Sequence, residues 1–127
     1  MPENTPFAWH EIHTTDAQKA KKFYSDCFRW ETSEMSMGED GVYTMFNVPG
    51  AKPFGGIVEL RGEAWKGIPA HWAVYVDVED IRAKVKEVEA CGGKIVVPPF
   101  EVPSVGLTAL VHDPQGAPFH LFQGVKS

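Results

Sequence analysis

Apolar residues recur at helical spacing after Asp16, at Ala17, Ala20, Phe23, Tyr24, Cys27 and Phe28. A second stripe, Ile81, Val85, Val88 and Cys91, follows Asp80. Both aspartates are predicted N-caps, because a carboxylate there accepts from the exposed amides of the first turn. Gly92-Gly93 ends the second helix, since glycine takes a left-handed residue at little steric cost. A strand-like run precedes each helix, Phe7 to His13 and His71 to Val78. Three more follow each helix: Trp30 to Met37, Val42 to Val48 and Phe54 to Leu60, then Lys94 to Glu101, Leu107 to His112 and Pro118 to Phe122. Gly38 to Gly41, Pro49 to Pro53, Pro103-Ser104 and Asp113 to Gly116 supply turns.

The order is strand, helix, three strands, and then the same again. An offset of 64 residues carries Asp16 onto Asp80, Lys22 onto Lys86 and Cys27 onto Cys91; one residue more carries Gly41 onto Gly106 and Pro49 onto Pro114. The repeat predicts two modules, at about 6–61 and 70–124, with 62–69 as linker, within one α+β domain over 1–127. A module of about 60 residues buries too little apolar surface to stand alone, so the modules must pair, within the chain or between two chains.

Alternation assigns the faces. In the strand after the linker, Trp72, Val74, Val76 and Val78 should pack on the helix, while His71, Ala73, Tyr75 and Asp77 point the other way. By the offset, Ala8, His10 and Ile12 face the first helix; Trp9, Glu11 and His13 oppose them. In the last strands, Val58 and Leu60 are expected on the helix side with Ile57, Glu59 and Arg61 opposite. Phe119 and Leu121 are likewise on the helix side with His120 opposite. The non-helix face then carries Glu11, His13, Glu59, His71 and His120, which makes it the expected ligand site. His10 reads as a core histidine and His112 as a surface one.

Composition narrows the function classes. The chain has 127 residues, 43% of them hydrophobic and 23% charged, as in an ordinary globular protein. The net charge of −5 disfavours a nucleic-acid partner, which needs a basic face. Lys19, Lys21 and Lys22 read as the solvated side of the first helix. No apolar run approaches the ~20 residues of a membrane span. The opening residues resemble no secretory signal, so a cytoplasmic location is expected. Cys27 and Cys91, the two cysteines, are expected reduced and packed on the apolar side of their helices.

Phe7-Ala8-Trp9-His10-Glu11-Ile12-His13-Thr14-Thr15-Asp16, then Phe23-Tyr24 and Phe28-Arg29-Trp30, resembles the opening of a vicinal oxygen chelate module. Asp113-Pro114-Gln115-Gly116-Ala117-Pro118-Phe119-His120-Leu121 resembles its closing hairpin and last strand. This superfamily contains glyoxalase I, extradiol dioxygenases and bleomycin-resistance proteins. The resemblance implies two paired βαβββ modules, their sheets curled into a cup with the helices outside, and a homodimer. In metal-dependent members the ligands come from the first and last strands of each module. That implies Glu59 and His120 as ligands, with His71 as a third. The gapless first-strand positions, however, hold Trp9 and Ala73, and His71 lies two residues earlier on the same face as Ala73.

Two readings stand side by side. In one, Glu59, His71 and His120 hold a divalent transition metal (Fe, Mn, Ni or Zn), which stabilises an enolate or binds vicinal oxygens in a lyase or dioxygenase reaction. In the other, a metal-free protein binds or sequesters a small molecule. Glu11 is the candidate general base; Trp9, His13 and Tyr75 are the candidate substrate contacts. His13 stands where the glutathione-binding arginine of glyoxalase I would be, which turns the expectation away from glutathione adducts.

Overall fold

The computed structural model describes residues 5–37, 41–60, 62, 66–102 and 105–125. Arg61, most of the predicted turns at 38–41 and 103–104, and residues 1–4 lie outside them. The elements are β1 (Phe7–Thr14), α1 (Ala17–Phe28), β2 (Glu31–Ser36), β3 (Val42–Asn47), β4 (Gly55–Glu59), β5 (His71–Asp77), α2 (Ile81–Ala90), β6 (Lys94–Val102), β7 (Gly106–His112) and β8 (Pro118–Gly124). The predicted order, βαβββ twice, is the observed one, and the fold is α+β.

Two compact units emerge. One is His10–Trp72; the other joins the chain before His10 to the chain from Ala73 onward. Phe7 lies edge-on to Phe119 at 6.4 Å, and Thr5 donates to the Asp77 carbonyl, which ties the opening residues to the later unit.

In the His10–Trp72 unit the strands run β2-β3-β4-β1. β1 pairs parallel with β4, and β3 is antiparallel to both β2 and β4. Ile12, Phe46 and Ile57 form the buried core, with Ala17, Tyr24, Trp30 and Phe54 packed against it. In the other unit the order is β5-β8-β7-β6, with β5 parallel to β8. Ile81 and Val85 of α2 are buried there with Val78, Ala109, Val111 and Leu121. Pro98-Pro99 falls where β6 slips register against β7, since proline lacks the amide that a ladder requires.

The helices begin as predicted. Asp16 accepts from Lys19 N, and Asp80 accepts from Ala83 N. Each helix has a second capping group. Glu59 Oε1 accepts from Ala17 N at 2.9 Å, and Gln123 Oε1 accepts from Ile81 N at 2.8 Å. The 64-residue offset carries each member of the first set onto the second. Gly92, at φ +96°, follows the end of α2 as expected. Lys22 donates to Asp26 on the exposed side of α1, and that contact raises its ammonium above the ordinary value.

Four expectations are corrected. No α1 residue is buried, and Phe23 and Phe28 are more than half exposed. Cys27 and Cys91 are free and exposed rather than packed. His10 is exposed and donates from Nδ1 to the Phe54 carbonyl. Trp72 lies in the unit of the first helix, where its indole N–H donates to the Tyr24 hydroxyl at 2.9 Å. None of the described helices is long and apolar enough to cross a membrane.

Candidate functional site

β1 alternates as predicted. Ile12 enters the core beneath α1, so Glu11 and His13 point to the other face of the sheet. Both are buried, with 8% and 5% of their surface exposed, which is unusual for such groups unless they are paired. His13 Nε2 lies 2.8 Å from Glu11 Oε1, and the Tyr43 hydroxyl donates to Glu11 Oε2 at 2.5 Å. With Glu11 ionised, His13 carries its proton on Nε2 and the carboxylate takes a donor on each oxygen. The His71 ring meets His13 edge-on at 5.1 Å. His71 Nδ1 lies 2.9 Å from the Pro69 carbonyl, which can only accept. Nδ1 therefore carries a proton, and the ring in its neutral form presents Nε2 as an acceptor.

Tyr43 reaches Glu11 because β4 has no side chain between them. Glu11 pairs with Gly56 across the parallel β1–β4 ladder, and a Cβ on Gly56 would stand 1.9 Å from the Tyr43 oxygen. Sequence reasoning missed Tyr43. The available signal was the glycine itself: the offset carries Gly56 onto His120, so one module lacks a side chain that the other has.

Glu59 does not face this cluster. Ile57 lies in the core with Ile12, and Glu59, two residues on, shares that side and caps α1. The face expected for Ile57 and Glu59 is thus reversed. In the other unit Tyr75 and His120 are on the predicted face, with their rings stacked at 4.5 Å and 21°. Trp9 is half-buried in the same unit.

One of the expected metal ligands has a second role. One Glu59 oxygen is committed to the α1 N-terminus. Trp9, at a ligand position, offers only an N–H donor. Among the described residues no three His, Cys, Asp or Glu side chains gather in a way that could hold a metal ion. Two positions that the resemblance assigns to metal ligands thus serve otherwise here, Glu59 as a helix cap and Trp9 as an indole. What the cluster can do is accept and exchange protons: a carboxylate orients one imidazole, and a second imidazole offers a lone pair beside it.

A sequence model described as the Glyoxalase/Bleomycin resistance protein/Dioxygenase superfamily matches residues 7–121. The chain belongs to that superfamily. Among curated superfamily relatives, CFP32 of Mycobacterium bovis, which carries a provisional glyoxylase name, is 34% identical over 116 residues. The match covers 91% of this chain and 44% of that protein. The anthracycline biosynthesis protein DnrV of Streptomyces peucetius is 29% identical, over 91% of this chain and 46% of that protein. The chain thus spans less than half the length of these relatives. Among solved structures, a hypothetical protein of Bacillus halodurans has the same fold, with a TM-score of 0.70 at 14% identity over 98% of this chain and 97% of that one. Methylmalonyl-CoA epimerase of Mycobacterium tuberculosis follows at a TM-score of 0.67 and 15% identity, over 94% of this chain and 88% of that one.

Proposed function

We infer that this superfamily member binds a small hydroxylated molecule without a metal, using His71 Nε2 and the Glu11–His13 pair to meet the ligand's hydroxyl groups. The observation that carries this reading is the buried Glu11–His13 pair with the oriented His71 ring against it. A carboxylate and a neutral imidazole both accept hydrogen bonds, so the cluster favours a ligand rich in donors. An enolisable or phenolic hydroxyl fits, and His71 is the group placed to draw its proton. The name of DnrV points to hydroxylated polycyclic aromatics as a ligand class.

The test uses a dihydroxyanthraquinone as probe, followed by its visible absorption, together with metal analysis of protein purified without chelator. Saturable binding is expected without metal. His71→Ala should weaken it roughly tenfold, the size of one lost hydrogen bond to a buried ligand. Stoichiometric Fe, Mn, Ni or Zn that disappears in His71→Ala, or binding that requires added metal, would instead establish the metal-dependent lyase or dioxygenase reading and sink this one.

A further inference from the structure

The two modules superpose in register as well as in order. Glu11 pairs with Gly56 as Tyr75 pairs with His120, and Ile12 pairs with Ile57 as Val76 pairs with Leu121. In the second module the last strand therefore supplies an imidazole beside the first strand's side chain, and the two rings stack. In the first module that place on β4 is a glycine. The space is filled from the neighbouring strand: a Cβ built on Gly56 would lie 1.9 Å from the Tyr43 oxygen and 2.2 Å from Cζ. The hydroxyl that occupies it donates to Glu11 Oε2.

We propose that Tyr43 is a positioning residue for the Glu11–His13 pair, and that Gly56 is the site that admits it. With one carboxylate oxygen held by the Tyr43 hydroxyl, the other is fixed toward His13 Nε2. That contact selects one tautomer of a buried imidazole. Its importance for ligand recognition rests on the function inferred above, but the positioning itself does not.

The experiment reads the ring-nitrogen chemical shifts of His13 by NMR in the whole chain, alongside dihydroxyanthraquinone binding. Wild type should show His13 protonated on Nε2 alone. Tyr43→Phe keeps the ring and removes the donor, and Gly56→Ala keeps the tyrosine but evicts its hydroxyl. Both should convert His13 to a mixture of tautomers and weaken the probe roughly tenfold, as for one charge-assisted hydrogen bond. Tyr43→Ala combined with Gly56→Ser places a hydroxyl on β4 itself and should restore the single tautomer that Tyr43→Ala loses. A purely space-filling tyrosine would leave the His13 pattern unchanged in Tyr43→Phe, and that result overturns the proposal. Loss of the pattern in both single variants with recovery in the double variant supports it. If wild type ignores the probe, the binding reading fails while the His13 pattern still decides the role of Tyr43.

Discussion

Phe46→Ala should cost about 3–5 kcal/mol of folding stability, the usual price of an aromatic deleted from a closed core. Phe46 has no exposed surface and sits where β3 passes beneath α1. Its ring lies 5.4 Å from Trp30, 5.7 Å from Tyr24, 6.4 Å from Phe54 and 6.5 Å from Trp72. Four aromatic neighbours cannot collapse into the void without leaving their own contacts, so most of the cavity should persist. Domains of this size are stable by only about 5–15 kcal/mol, so the loss is a large fraction of the whole. Chemical denaturation with tryptophan fluorescence reads it directly, since Trp30 and Trp72 report on the same cluster. Val48→Ala, at a residue 48% exposed, is the control and should change stability by less than about 0.5 kcal/mol. A Phe46→Ala loss below about 1 kcal/mol would show that the cluster is not a packed core.

Gly55→Ala should be comparably severe, at about 3 kcal/mol or more, through overpacking rather than a cavity. A Cβ on Gly55 would lie 2.2 Å from the His10 carbonyl oxygen. The obstruction is backbone, not the tip of a side chain that can swing aside. His10 and Gly55 are partners in the β1–β4 ladder, so the only relief is to part the strands or shift their register. A shift by one residue would turn every side chain to the other face and remove Glu11 from its place opposite Gly56. The variant should therefore lose both stability and probe binding, whereas Gly56→Ala, whose nearest obstruction is the Tyr43 side chain, should stay folded. A Gly55→Ala protein with the wild-type denaturation midpoint would contradict the close strand approach.

These two positions also explain what could be read from the sequence. The helices, their aspartate caps and the doubled element order follow from local pattern: period, capping chemistry and glycine after α2. β4 did not yield to the same logic. Gly55-Gly56-Ile57-Val58-Glu59-Leu60 has apolar residues on both sides of the pleat, so alternation cannot choose a face. The choice is made across the sheet, where Ile57 pairs with Ile12. The offset that worked for β1 would have carried Glu59 onto Gln123 and revealed both as helix caps. Helical periodicity likewise located α1 but could not say what covers Phe23 and Phe28. Tyr43 carries no signal of its own, because its role depends on an absence elsewhere, the missing side chain of Gly56. Among the site residues, the first-strand pair Glu11 and His13 was legible, since adjacent strand residues of one parity must share a face.

The caps from Glu59 and Gln123 bear on the order of folding. Each joins residues 42 apart, from the first amide of a helix to the end of the last strand of its module. Neither amide meets its native side-chain partner until the fourth strand of the module has docked, and closing that loop carries an entropic penalty. Each cap thereby couples the start of its helix to the end of its module's last strand. A chain that has made the helix but not yet the last strand holds only the local aspartate cap at its helix start, and the second cap arrives with the completed sheet.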